Sequence, residues 1–379
     1  MENFIVSARK YRPAKFLDVV GQEQVSETLK KALSSGKLAQ SFLFCGPRGV
    51  GKTTCARILA KAINCENPGA DFEPCNQCTS CVSFSQNASF NIFELDAASN
   101  NSVDDIRTLV DQVRFAPQSG KYKVYIIDEV HMLSPGAFNA FLKTLEEPPS
   151  YAIFILATTE KHKIIPTILS RCQIFDFKRI SDKDIVKQLQ KICDSEGVQA
   201  EPSALHIIAQ KADGGLRDAL SLFDKIVSYA GKQVSYQDVI SNLNILDYEY
   251  YFKITNFFML EDAASVLNAF NEIINNGFDG EMFLLGMAEH FRNLLISKDE
   301  KTVPLLEAAE DVKAKYLAQA KLLNETFLLN ALSIINQCDI EYKTTKNKRL
   351  HVELSLLKIC YLNTQIESTI SLILGEKKN

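Results

Sequence analysis

The segment Gly46-Pro47-Arg48-Gly49-Val50-Gly51-Lys52-Thr53 has the spacing G-x-x-x-x-G-K-[ST], which suits a loop that holds the phosphates of a nucleoside triphosphate. Glycines let the backbone wrap with its N–H groups turned inward, and the positive end of a following helix adds to the attraction. In such a loop Lys52 reaches the β- and γ-phosphates, and the Thr53 hydroxyl is a ligand for Mg²⁺. Thr54 is counted with the nucleotide-binding residues. The alternative is a glycine-rich turn that matches by chance, and a second motif downstream counts against it.

That motif is Val124-Tyr125-Ile126-Ile127-Asp128-Glu129, an apolar run that delivers two carboxylates at its end. Ligands of open α/β sheets bind outside the C-terminal ends of the strands. Asp128 is therefore placed to hold Mg²⁺, directly or through water, and Glu129 to polarise an attacking water as general base. Two acids that merely cap a strand are the alternative for a lone pair, but a phosphate loop gives both a task.

Cys65, Cys75, Cys78 and Cys81 crowd into one polar stretch, whereas Cys45, Cys55, Cys172, Cys193, Cys338 and Cys360 are dispersed and read as packing residues. Three of the four follow C-x-x-C-x-x-C, and Cys65 can close a tetrahedron. Four sulfurs with no open position describe a structural Zn²⁺ site. A stretch this polar buries no core of its own, so metal would supply its folding free energy, ~10–16 kcal/mol in comparable peptides. Four reduced structural cysteines or an iron–sulfur cluster are the alternatives.

These residues must be positioned by alternating strands and helices. Strand-like runs at Ser41 to Cys45, Asn91 to Leu95, Val124 to Ile127 and Ala152 to Leu156 alternate with helical patterns, the signature of a parallel sheet with crossover helices. A helix follows Ser134, a good N-cap, with Pro135 in its first turn and Phe138, Phe141, Leu142 and Leu145 along one face. Beyond residue 180 the helical pattern continues in Ile185 to Cys193, Ser203 to Lys211 and Leu216 to Tyr229. From about 244 the pattern is amphipathic helix, with breaks expected at Gly277, Gly280 and Pro304.

With 379 residues, 46% hydrophobic and 23% charged, the chain is globular and longer than one core usually supports, so three domains are expected. No run approaches the ~18 apolar residues of a membrane span, and the polar N-terminus does not read as a signal peptide, which points to a cytoplasmic protein. A net charge of −4 argues against gripping nucleic acid by bulk charge. The basic run Lys343, Lys346, Lys348, Arg349 reads as a solvated loop between helices rather than a DNA patch.

Several further segments follow in order: Lys10-Tyr11-Arg12-Pro13, then Phe16-x-Asp18-Val19-Val20-Gly21-Gln22, Leu156-Ala157-Thr158-Thr159, Ser170-Arg171-Cys172 and Gly214-Gly215-Leu216-Arg217-Asp218-Ala219. Together with the phosphate loop and the four-cysteine insertion, the set resembles the AAA+ ATPases, and within them the gamma/tau family of bacterial DNA polymerase III clamp loaders. The resemblance covers residues 10 to about 220. It implies an α/β fold: a P-loop AAA+ parallel-sheet domain (1–179) with a zinc-binding insertion (about 64–84), a small helical lid (180–243) and an all-α collar for oligomerisation (244–379).

By the same resemblance Tyr11, Arg12, Pro13 and Val20 line an adenine pocket, Thr158 senses the γ-phosphate, and Arg217 addresses the phosphates from the lid. Arg171 reaches the ATP site of a neighbouring subunit. The implied activity is ATP hydrolysis that drives loading of a sliding clamp onto primer–template DNA, without polymerisation by this chain. The implied partners are delta, delta-prime and further gamma/tau copies, and the polymerase core where a longer form exists. A non-hydrolysing stator and a branch-migration helicase are the competing readings. The intact Lys52, Thr53, Asp128 and Glu129 disfavour the first, and the four cysteines disfavour the second.

Overall fold

The computed structural model describes residues 5–69, 71–117, 120–243, 246–306, 310–362 and 364. The chain divides into two compact units between Ser235 and Tyr236. The expected junction at 243/244 abuts residues 244–245, which lie outside the described residues, as does the end of the expected collar at 365–379.

In the first unit five parallel strands, β1 (Ser41–Cys45), β2 (Ile92–Asp96), β3 (Lys123–Asp128), β4 (Ala152–Thr158) and β5 (Gln173–Asp176), form one sheet in the order β2-β3-β4-β1-β5. β1 lies between β4 and β5, with Cys45 opposite both Thr158 and Asp176, and Asp96 lies opposite Asp128. The register thus aligns the C-terminal ends, where the expected site residues fall. β5 escaped the apolar-run criterion because it is an edge strand with only Phe175 buried, and its ends are the polar Gln173 and Asp176.

The helices before β5 are α1 (Ser7–Lys10), α2 (Glu23–Ser34), α3 (Lys52–Ile63), α4 (Thr79–Ser85), α5 (Val103–Val113), α6 (Pro135–Glu146) and α7 (Pro166–Leu169). Strand alternation sorts the core into two layers. Phe42 and Phe44 of β1 and Val124 and Ile126 of β3 face a cluster with Leu29 of α2 and Leu59 of α3. Leu43, Cys45, Tyr125 and Ile127 point the other way, to Ile106 of α5 and Phe141 of α6. The α6 start is as expected, with Pro135 at its first position and the Ser134 side chain accepting from the Ala137 N–H at 3.3 Å. α5 begins with a reciprocal capping box between Ser102 and Asp105.

Three helices complete this unit, α8 (Asp182–Glu196), α9 (Pro202–Lys211) and α10 (Leu216–Ala230), tied by a two-residue parallel pair, β6 (Gln199–Ala200) and β7 (Gln233–Val234). α1 is pinned to this group: the Ser7 N–H and hydroxyl both donate to the carboxylate of Asp224 on α10.

The second unit is helical throughout its described residues: α11 (Tyr236–Leu243), α12 (Tyr248–Met259), α13 (Ala263–Asn275), α14 (Gly280–Ile296), α15 (Glu310–Leu322), α16 (Glu325–Tyr342) and α17 (Lys348–Cys360). Its core is aromatic, with Phe258, Phe270, Phe283, Phe291 and Phe327 almost wholly buried. Gly277 does break the chain, but Gly280 is the first residue of α14, where a Cβ would lie 2.9 Å from the Tyr342 hydroxyl. Close approach, not helix breaking, explains that glycine. The basic run spans the α16–α17 turn, and Arg349 pairs with Glu353 at 2.8 Å. No helix among the described residues is long and apolar enough to cross a membrane.

Candidate functional site

The phosphate loop leaves β1 and enters α3, and its glycines are where the backbone needs them. Gly46, Gly49 and Gly51 have φ of 148°, 77° and 104°. A Cβ on Gly46 would sit 2.4 Å from the carbonyl oxygen of Phe177, and one on Gly49 would sit 3.1 Å from the Cα of Gly215 at the head of α10. The Arg217 N–H donates to the Gly49 carbonyl at 3.3 Å, so the loop touches the α8–α10 group through bare backbone. Gln22, quoted in sequence only as part of a signature, donates its amide to the carbonyl of Lys178 at 2.7 Å and accepts from the Lys178 N–H at 3.3 Å.

Lys52 is only 6% exposed and donates to the carbonyls of Gly46 and Pro47 at 2.8 and 2.7 Å. Burial lowers the affinity of its amine for the proton, and the carboxylates of Glu129 and Asp128 oppose that fall. The Thr53 hydroxyl, one residue on, donates to Asp128 Oδ2 at 2.6 Å. The phosphate loop and the C-terminal end of β3 therefore meet through this contact.

Glu129 adopts a left-handed conformation, φ 47° and ψ 43°, at the turn out of β3. One of its oxygens accepts from the Thr159 N–H at 3.2 Å and the Thr159 hydroxyl at 3.0 Å. Thr158 is wholly buried; its hydroxyl lies 3.0 Å from Nδ1 of His131 and accepts from the Glu160 N–H at 3.0 Å. His131 itself lies 3.4 Å from both Glu129 and Glu160. His131 follows the two acids in the run Asp-Glu-Val-His, but in sequence it is an isolated histidine and only these contacts give it a place in the site. The hydroxyl that reaches Glu129 belongs to Thr159, the neighbour of the residue singled out.

A cleft of about 590 Å³ opens between the N-terminal segment and α8, lined by Tyr11, Arg12, Pro13 and Val20 on one side and by Lys187 and Lys191 on the other. The Tyr11 hydroxyl donates to Glu196. Arg12 is held below its ordinary pKa, first by loss of hydration and then by the charge of Arg57, with Arg217 adding to it and Glu94 opposing. That crowding of guanidinium groups favours an anion nearby. Arg48 and Arg217 are exposed. Arg171, beyond α7, lies over its own chain, donating to the Thr167 carbonyl at 2.7 Å and to Glu146 at 2.8 Å.

Cys65, Cys75, Cys78 and Cys81 bring their sulfurs within 4.8 Å of one another. The Sγ of Cys75 accepts from the N–H groups of Gln77 at 3.5 Å and Cys78 at 3.3 Å, and Cys65 accepts from the Cys75 N–H at 3.3 Å. The N–H of Gln77 first, and then that of Cys78, lower the pKa of the Cys75 thiol to about 6. Converging sulfurs with thiolate-stabilising N–H groups fit a tetrahedral metal site. The other six cysteines are buried or half-buried.

Family models match almost the whole length in three pieces: "DNA polymerase III, delta subunit" over residues 21–181, "DNA polymerase III clamp loader subunit, ATPase lid domain" over 184–232, and "DNA polymerase III subunits gamma and tau domain III" over 234–371. DNA polymerase III subunit gamma of Buchnera aphidicola subsp. Acyrthosiphon pisum is 34% identical over 94% of this chain and 99% of its own length. The chain belongs to the gamma/tau family of DNA polymerase III subunits. It is 45% identical to the tau subunit of Bacillus subtilis and 39% identical to that of Escherichia coli, over 94% of this chain in each case. It spans 63% and 55% of the length of those two relatives.

Family membership makes the loop geometry testable apart from any activity. Gly46→Ala forces a Cβ into the Phe177 carbonyl and is expected to cost about 1–3 kcal/mol of unfolding free energy. Gly36→Ala, at φ 67° with nothing within 4 Å, shows what a left-handed backbone costs where no clash accompanies it. Chemical denaturation of the two variants against the parent chain measures the difference.

Proposed function

We propose that this chain is an ATP-hydrolysing motor subunit of a DNA polymerase III clamp loader, acting in the cytoplasm during DNA replication. The observation that carries the reading is the 2.6 Å contact between the Thr53 hydroxyl and Asp128, which brings the anion cradle and a metal-holding acid together. Mg²⁺, when bound between Thr53 and Asp128, would screen the phosphate charge.

ATP would lie with its phosphates along the residues 46–54 loop and its base in the cleft lined by Tyr11, Pro13 and Val20. Lys52 would exchange its two loop carbonyls for phosphate oxygens. Glu129 would take the proton of the water that attacks the γ-phosphorus as the bond to the bridging oxygen breaks and ADP departs. Thr159 would hold that carboxylate directly, and Thr158, whose hydroxyl meets His131, would sense the γ-phosphate. Arg217 would approach from the lid, and Arg171 would leave Glu146 to enter a neighbour's site, which makes turnover depend on assembly. An arginine supplied in trans is worth ~10³–10⁵ in rate in nucleotide switches.

In this reading ATP binding drives assembly with delta, delta-prime and further gamma/tau copies, opens a ring-shaped sliding clamp and grips primer–template DNA, and hydrolysis releases the loaded clamp. DNA would be met mainly at its phosphates, by helix N-termini and scattered Lys or Arg, as suits a net charge of −4. The polymerase core joins as a partner of longer forms. Zn²⁺ on the four cysteines would be structural.

In a complex reconstituted with the other subunits, Lys52→Ala is expected to lower DNA-stimulated ATP hydrolysis by about 10²–10³-fold; unchanged turnover would remove this chain as the motor. Arg171→Ala is expected to bind ATP normally in equilibrium titration yet to lose clamp loading. Loading at the parent rate would contradict the trans-acting role.

A further inference from the structure

The wall of the cleft carries a helix start that its own sequence does not cap. Residues Phe16–Asp18 form a short 3-10 turn, and Lys15 before it makes no side-chain capping bond. The first N–H groups of such a turn have no partner within it and must find one elsewhere. They find it 57 and 56 residues away: Glu73 Oε2 accepts from the Phe16 N–H at 2.8 Å, and Oε1 accepts from the Leu17 N–H at 3.1 Å. Glu73 is 7% exposed and forms an ion pair with Lys30 of α2 at 2.7 Å.

A buried carboxylate is stable only where charge and hydrogen bonds replace water, and here the two N–H groups and the ammonium do so. Glu73 stands two residues before Cys75, inside the cysteine stretch. Asn76, the next residue after Cys75, also reaches across and donates its amide to the Ala14 carbonyl at 3.3 Å. Ala14 and Leu17 both line the cleft. On its other side the stretch is anchored by Phe84 of α4, 4% exposed and packed in the core beneath α3, with Arg57 over its ring. The cysteine stretch is thus fixed to the α3 layer at one end and clasps the wall of the cleft at the other.

We propose that Glu73 is a positioning residue for the nucleotide: it transmits the order that a metal imposes on the four cysteines to the base end of the pocket, so that metal occupancy sets nucleotide affinity. The proposal rests on the reading of the cleft as the base site. Glu73 touches the wall and not the phosphate loop, so its loss weakens ligands that carry a base and spares those that are phosphate alone.

The test uses the full chain, with metal content measured by elemental analysis and affinity by calorimetric titration with ATP and with inorganic triphosphate. Glu73→Gln, which keeps the shape, and Glu73→Ala are expected to retain the parent's zinc and far-ultraviolet circular dichroism. Their affinity for ATP is expected to fall about tenfold, with triphosphate binding unchanged. Stripping zinc from the parent chain is expected to weaken ATP by a similar factor and to add nothing in the Glu73 variants, as residues acting through one path are non-additive. Parent-like ATP affinity in both zinc-loaded variants, an equal loss for ATP and triphosphate, or an equal effect of zinc removal in parent and variants would overturn the clasp. A parent chain that binds triphosphate but gains nothing from the base would instead overturn the base-site reading beneath it.

Discussion

The bond from the Thr53 hydroxyl to Asp128 ties together two parts of the chain that fold from separate sequence motifs. Thr53 is in the first turn of α3 and Asp128 is the last residue of β3, so the contact exists only if β4 separates β1 from β3 and all three end level. The observed register does this, with Ser41 to Cys45 opposite Phe154 to Thr158, and Lys123 to Ile127 opposite Ala152 to Leu156. The alternation of Phe42, Leu43, Phe44 and Cys45 between two core layers holds that register, because a slip by one residue would turn every side chain to the wrong layer.

Around that contact the pocket borrows its walls from distant segments. The glycine loop is roofed by the head of α10, the α1 segment is bound to Asp224, and the first turn of the cleft wall is capped by Glu73. Each of these ties joins an element at the sheet end to one that the sequence places tens to hundreds of residues away. Movement of the α8–α10 group would therefore be felt in the cleft and at the phosphate loop together. The cleft wall has in addition a tie of its own, to Glu73, that does not pass through that group.

Much of this was legible in the residues. The loop Gly46 to Thr53, the acids at the end of an apolar run, the cysteine spacing and the capped helix after Ser134 are local patterns, and local patterns are set by backbone chemistry that a few residues determine. What stayed hidden was non-local. β5 carries one buried residue and reads as a loop until β1 is placed beside it. Gly280 looks like a break until Tyr342 is packed against it. His131, Thr159 and Glu73 are ordinary polar residues in sequence, and only tertiary contact gives each a partner. The resemblance to the AAA+ ATPases supplied the order of the motifs and the expectations for Thr158, Arg171 and Arg217, and the contact from Thr159 to Glu129 adds a residue it did not single out.

The central claim is that one pocket holds both the triphosphate and its metal. Calorimetric titration of the purified chain with ATP, with and without Mg²⁺, tests it most directly. Saturable binding strengthened by Mg²⁺ is predicted for the parent chain, with the Mg²⁺ dependence lost in Asp128→Asn. No binding at millimolar ATP and Mg²⁺, or a Mg²⁺ dependence that survives the substitution, would contradict the account.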